Sequence, residues 1–149
     1  MEKRYYIAYG SNLNVRQMIR RCPEARVIGT GTLEGWELLF KGSKTGSYLT
    51  IEQSPDGLVP VAVWEVSERD ERNLDVYEGY PNFYYKKEMT IHFRGIKTGR
   101  IRKRRVFGYI MFSTSNTFCK ISISVDKRIT LLSKLLTVFL LTGSFSESL

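Results

Sequence analysis

Residues 25–42, ARVIGTGTLEGWELLFKG, decide how the rest of this 149-residue chain is read. Their β-branched and aromatic residues favour a strand, yet glycines interrupt it at Gly29, Gly31 and Gly35. Glycine within a strand marks a bulge or bend, and a small sheet that closes on itself needs such corners. Two further strand-like runs follow, GSYLTIEQ (46–53) and LVPVAVWEV (58–66). Turn residues separate the three, in KGSKTG (41–46) and SPDG (54–57).

Upstream, YYIAYGSNLN (5–14) begins as a short apolar strand over Tyr5–Tyr9 and runs into Gly10, Ser11 and Asn12. That loop has two readings. These residues are good turn formers in their own right, and a glycine loop between strand and helix also presents backbone N–H groups to an anionic or polar ligand. Residues 14–21 read as a helix with Asn14 as N-cap and Val15, Met18 and Ile19 on one face, stopped by Pro23. Downstream, SERDERNLDVYEG (67–79) is a second helix, with Ser67 and Asp70 in a capping-box-like start and Gly79-Tyr80-Pro81 closing it. YYKKEMTIHF (84–93) and RRVFGYIMF (104–112) read as two more strands.

With 42% hydrophobic and 13% aromatic residues the chain can build a substantial core, which excludes global disorder. Its net charge of +8 draws anions, whether nucleic acid or small acidic substrates. Cys22 and Cys119 lie far apart and form no CxxC or Cys/His cluster, so neither a disulfide framework nor a zinc site is indicated. The N-terminus lacks the apolar core of a signal peptide. The greasiest run, Leu131–Leu141, is shorter than the roughly 20 residues that span a bilayer. The expectation is a soluble cytoplasmic protein with no membrane partner.

Few residues are candidates for chemistry. The one histidine, His92, lies in a strand-like run and reads as a surface or cross-strand residue. Glu68, Asp70 and Glu71 read as the charged outer face of a helix. Glu78 differs, because it stands among Tyr77, Gly79 and Tyr80 where the helix gives way to a turn. A carboxylate among aromatics is partly desolvated, which raises its pKa and suits it to proton transfer, though such surroundings also occur for structural reasons. Tyr77, Tyr80, Tyr84 and Tyr85 either line a polar pocket or fill a β core. The run RGIKTGRIRKRR (94–105) carries seven basic residues and no acidic one. It reads as a solvated hairpin connection; a nucleic-acid contact is the alternative, against which stands the lack of interleaved aromatics or any binding motif.

In combination, YGSNL (Tyr9–Leu13) and LDVYEGYPNFYYKKEMTI (Leu74–Ile91) resemble the gamma-glutamylcyclotransferase-like family, over about residues 4–112. The resemblance implies a mixed α/β (α+β) fold, a small β-barrel with flanking helices and a pocket at its mouth. It implies release of 5-oxoproline from a small-molecule gamma-glutamyl substrate: the substrate's α-amine attacks its own γ-carbonyl and the attached amine departs. By motif position Tyr9, Gly10, Ser11, Asn12 and Leu13 would hold the gamma-glutamyl moiety, Glu78 would be the general acid/base, and Tyr84 would face the substrate, with Tyr85 on the other side of its strand. Neither metal nor cofactor is called for. A non-catalytic binding module of the same fold is the alternative, and nothing in the chain specifies an oligomeric state.

The resemblance stops at Phe112. The family's usual Pro-Ser-Tyr-type segment and Gly-Tyr helix do not appear in residues 113–149, which contain no Pro, Trp or Tyr and a single Gly. The chain therefore divides into a family-like domain, 1–112, and an atypical segment, 113–149. Within the latter, DKRITLLSKLLTVFLL (126–141) has a helical pattern, with Asp126 as N-cap and Ile129, Leu132, Leu136 and Leu140 in one stripe.

Overall fold

The computed structural model describes residues 3–43, 46–112 and 118–120. In chain order the elements are β1 (Arg4–Ala8), a single 3-10 turn (Ser11–Leu13), α1 (Val15–Arg21), β2 (Arg26–Ser43), β3 (Gly46–Val66), α2 (Glu68–Glu78), β4 (Tyr84–Gly95), β5 (Ile101–Met111) and β6 (Phe118–Lys120). β1 pairs antiparallel with β3 and parallel with β5. β5 pairs with β4, β4 with β2, and β2 with β3, all antiparallel. The ring of five is thus closed, a small barrel with two helices against it. The helical pattern at 126–141 lies outside the described residues, whereas Phe118–Lys120 pairs with Leu39–Lys41 of β2.

Side-chain alternation along the strands builds two cores. Ile7, Val61, Val63, Ile91, Phe93, Val106 and Ile110 fill the barrel. The intervening Tyr6, Ala8, Ala62, Trp64, Phe107 and Tyr109 pack outward against Met18 and Cys22 of the α1 end and Leu74 of α2. With both faces covered, VAVW (61–64) is buried residue for residue, as its unbroken apolar run requires. On α1 Met18 is buried and Val15 packs against the same core, but Ile19 is 48% exposed. One residue beyond Met18, it lies about 100° around the helix, off the packed face.

Gly29 and Gly35 sit at irregularities of the sheet, whereas Gly31 pairs in regular register with Val61 and Phe93. Register shifts occur at Val27/Gly29 and at Glu34/Trp36. At the second, Gly35 takes a φ of +77°, in the left-handed region open to glycine. Four residues of β3, Ser54–Gly57, lie opposite Gly35 alone, because Leu58 pairs with Glu34 and Gln53 with Trp36. SPDG is therefore not a turn between two strands. Both flanks stay paired to β2, so 46–66 is one strand with an outward excursion. Gly57 in turn is packed so closely that a β-carbon there would lie 2.2 Å from the Trp36 carbonyl oxygen.

The helix caps agree with their sequence signals. Asn14 accepts from the Gln17 amide at 3.2 Å, and Ser67 accepts from the Asp70 amide at 3.1 Å. Gly79 closes α2 in the left-handed region at φ +65°. The outer-face reading of α2's first turn holds for Glu68 and fails for Asp70 and Glu71, which are buried. The barrel wall receives this turn, and strand ends supply the counter-charges to Glu71, while Asp70 has no ion pair among the described residues. Glu71 pairs with Lys86 of β4 at 2.6 Å and with Arg4 of β1 at 2.8 Å. Lys86 also donates to Asp75, 2.9 Å away.

Three variants test this packing by denaturant titration. Gly35→Ala is expected to cost about 1 kcal/mol from its positive φ, and Gly57→Ala about 2–3 kcal/mol because backbone must move. Lys86→Ala leaves two partly buried carboxylates underpaired and is expected to cost roughly 3 kcal/mol.

Candidate active site

β1 is only five residues long, and at its end the chain leaves the sheet through Tyr9 and Gly10. The next residues coil into one 3-10 turn, Leu13 N–H donating to the Gly10 carbonyl at 2.9 Å. The first N–H groups of such a turn have no partner inside it, so this end is a set of aimed donors. Facing it is the C-terminal end of α2, whose last residue is Glu78. Between them lies a cavity of about 530 Å³.

Tyr9, Gly10, Ser11, Asn12, Glu78 and Tyr84, six of the residues singled out from the sequence, line this one cavity. Leu13 does not; it packs on the core beneath the helices. Tyr77 joins the lining, while Tyr80 is exposed and Tyr85 packs towards the barrel interior. The structure adds Tyr6, Tyr109, Phe40, Tyr48, Leu49 and Phe83 as walls. Tyr6 and Tyr109 come from strands that read simply as core, and no local signal marks them. Phe40, Tyr48 and Leu49 come from the part of the β2–β3 ribbon beyond its bulge.

Polar contacts tie the loop to Glu78. Asn12, itself buried, donates from Nδ2 to Glu78 Oε1 at 2.9 Å and to the Tyr6 hydroxyl at 3.0 Å. Its Oδ1 accepts from Arg21 Nη1. The same nitrogen reaches Ser11 Oγ at 3.2 Å, and Ser11 Oγ lies 3.1 Å from the Tyr77 hydroxyl. Oε2 of Glu78 has no partner among the described residues. Tyr84 donates to the Leu49 carbonyl at 3.1 Å, and Tyr9 to the Tyr109 carbonyl.

Burial pushes the Glu78 carboxyl from its usual 4.5 up to about 7, against the opposing pull of the Arg21 charge and the Asn12 hydrogen bond. The tyrosines around it move the same way. Burial, reinforced by the Glu78 charge, raises Tyr6 well above 10 and Tyr84 to about 12. Near neutrality Tyr6, Tyr9, Tyr84 and Tyr109 thus stand as neutral phenols around one carboxyl poised between its two states.

The other chemical candidates lie elsewhere. His92 is exposed, paired across strands with Lys103, in a shallow groove with Thr32, Glu34 and Thr90. Residues 96–105 are all exposed and run from opposite Thr90 to the far end of β4, roughly 20–35 Å along the strand from Tyr84. Cys22 is a free buried thiol, pushed up to about 12 by burial and the nearby Asp70. Among the described residues no group of His, Cys, Asp or Glu is placed to hold a metal ion, and no helix is long and apolar enough to cross a membrane.

Fold and cavity together define a small closed β-barrel with a titratable carboxylate facing a glycine loop. The family model described as gamma-glutamyl cyclotransferase, AIG2-like, matches residues 6–123, and the chain belongs to that family. A solved structure named gamma-glutamyl cyclotransferase is 27% identical, with a TM-score of 0.62 over 80% of this chain and 70% of its own. An uncharacterized protein from Homo sapiens is likewise 27% identical, with a TM-score of 0.63 over the same shares. An AIG2-like protein from Mus musculus, 20% identical over 77% of this chain and 81% of its own, shares the fold at a TM-score of 0.57. No match was found among curated proteins.

The raised carboxyl has a consequence for stability. Below pH 4.5 Glu78 is protonated whether the chain is folded or not. Between 4.5 and about 7 the unfolded chain ionises first, so stability falls as pH rises, by on the order of 3 kcal/mol in all. Glu78→Gln keeps an acceptor for Asn12 and loses the charge. In denaturant titrations it is expected to match wild type at pH 4 and to exceed it by a few kcal/mol at pH 8, on the order of that same shift.

Proposed function

We propose that the protein releases 5-oxoproline from a gamma-glutamyl amino acid, amine or peptide, with Glu78 as general acid/base. What supports this most is the setting of Glu78: a carboxyl near pKa 7, held by one oxygen only, in a cavity opposite the glycine loop. The substrate's α-amine nitrogen bonds to its γ-carbonyl carbon, and the bond from that carbon to the departing nitrogen breaks. The α-ammonium must first give up a proton. A free α-amino group titrates near 8, about a unit from Glu78, so the transfer to Oε2 is close to thermoneutral. The protonated carboxyl then delivers that proton to the departing nitrogen, takes the second proton that the attacking nitrogen sheds as it becomes the lactam N–H, and passes it to the released amine, so Glu78 ends ionised and no external acid or base is consumed.

The rest of the site orients and polarises. Ring closure is intramolecular, so what the protein must supply is chiefly the folded pose. Backbone N–H groups at the start of the 3-10 turn suit the substrate carboxylate or the developing oxyanion. Gly10 leaves this approach open: a β-carbon there would meet only Leu49, at 3.4 Å. Tyr9 and Tyr84 are held by backbone carbonyls and serve as walls of fixed shape. On this proposal residues 1–112 are the catalytic domain and the protein works in the cytoplasm.

The test is 5-oxoproline release from a panel of gamma-glutamyl amino acids, gamma-glutamylamines and glutathione. Wild type is expected to turn over at least one of them, with kcat rising through about pH 7 as Glu78 ionises. Glu78→Gln is expected to lower kcat/KM by about 10²-fold or more. A folded protein that a panel member stabilises against heat, but that releases no product from any, is instead a binding module of this fold.

A further inference from the structure

We infer that Arg21 is a positioning residue, which locks the Asn12 amide in the orientation that aims its N–H at Glu78. The inference rests on reading Glu78 as the acid/base. A side-chain amide can turn by 180° and exchange its oxygen for its nitrogen, and its partners decide which way it stays. Neither partner of Asn12 Nδ2 decides it. The Tyr6 hydroxyl, 3.0 Å away, can donate as well as accept. Glu78 accepts when ionised and donates when protonated, and near neutrality it does both in turn. A flipped Asn12 would therefore find two willing donors whenever Glu78 carries its proton.

Arg21 removes that freedom. A guanidinium has five N–H donors and no acceptor, so only Oδ1 of Asn12 can face it. Arg21 is itself held on every side. Its Nη2 donates to Gln17 Oε1 at 3.0 Å, Nη1 reaches Ser11 Oγ, and the guanidinium carbon lies 3.6 Å from the centre of the Tyr77 ring. The Asn73 side chain donates to its backbone carbonyl at 3.0 Å. One residue at the end of α1 thus ties the 3-10 turn to α2 on either side of the carboxyl.

With the amide locked, an N–H points at Glu78 in both of its protonation states, and this favours the carboxylate, the form that takes the substrate's proton. The full positive charge acts in the same direction. Arg21 stands behind Asn12 and Ser11 rather than in the cavity wall, and among the described residues no cation lines the cavity itself. The titratable groups lining the cavity with Glu78 are Tyr6 and Tyr9 from the β1 end, Tyr48 from β3, Tyr84 from β4, Tyr109 from β5 and Tyr77 from α2.

The experiment follows the Glu78 carboxyl directly, by carbon NMR of protein labelled at the glutamate carboxyls, with Glu78→Gln identifying the signal. Arg21→Met is expected to raise the Glu78 midpoint by about one pH unit, and Arg21→Lys, which keeps the charge without the fork, by less. On substrate, the acid limb of kcat should move up by the same amounts. The loss in Arg21→Met should be about tenfold at pH 6.5, shrink above pH 8, and leave KM nearly unchanged. A midpoint that stays within about 0.3 unit in Arg21→Met would overturn the inference, since a change of one unit is a tenfold change in equilibrium. If Arg21→Met does not fold, Arg21→Gln takes its place under the same criterion. The titration needs no substrate: absence of turnover would sink the acid/base reading alone, and an unmoved midpoint would sink the role of Arg21 alone.

Discussion

The parallel pairing of β1 with β5 is the constraint on which the rest of the molecule hangs. β1 already pairs with β3, so its second edge, joined to β5, closes the ring and leaves no free edge among the five barrel strands. Both faces of β1 are then occupied, Ile7 inside the barrel and Tyr6 and Ala8 beneath the helices. A strand so enclosed can have polar backbone only at its ends. The chain therefore emerges at Tyr9–Gly10 with its next donors unpaired, directly against the end of α2. The cavity is a product of that closure, because β1 is too short to cover it.

The helix opposite carries a graded set of carboxyls. Glu71, Asp75 and Glu78 fall at i, i+4 and i+7, on one face of α2. Arg4 and Lys86 serve Glu71, and Lys86 and Tyr109 serve Asp75. Glu78 receives a single amide N–H. Two members of the stripe are thus matched to cations and bind the helix to the barrel. The third is desolvated without a direct ion pair, and its carboxyl rises to about 7. The same face of one helix holds the fold together at one end and retains an unmatched group at the other. Such a group lowers the stability of the folded chain above neutral pH, which is how functional sites commonly depart from the rules obeyed around them.

Much of this was legible locally. Glycines within β2 announced a sheet with corners; Ser67 and Gly79 marked the bounds of α2; Gly-Ser-Asn after a short strand announced a loop with free donors. These signals act within a few residues, through φ, hydrogen-bonding capacity and side-chain alternation, so one dimension suffices to read them. SPDG misled for the same reason. Its residues are turn formers anywhere, and only the pairing of both flanks to β2 shows that the strand runs on. The acidic stripe of α2 was visible as a spacing, but a helix does not say which of its faces is wet.

By itself the sequence determined the order of strands and helices up to residue 112, apart from the false break at SPDG, together with the helix caps and the two short motifs that mark the family. Only the tertiary structure decided that Glu78 faces the cavity without a direct ion pair and which side chains gather around it. Asn12 and Glu78 are 66 positions apart, and Tyr9 and Tyr109 are 100 apart. Arg21 reads in the sequence as one more cation in the last turn of a surface helix. Its contacts with Asn12, Ser11 and Tyr77 exist because barrel closure brings α1, the 3-10 turn and α2 to one place. Desolvation and charge depend on distance through space, and no local pattern of residues encodes that distance.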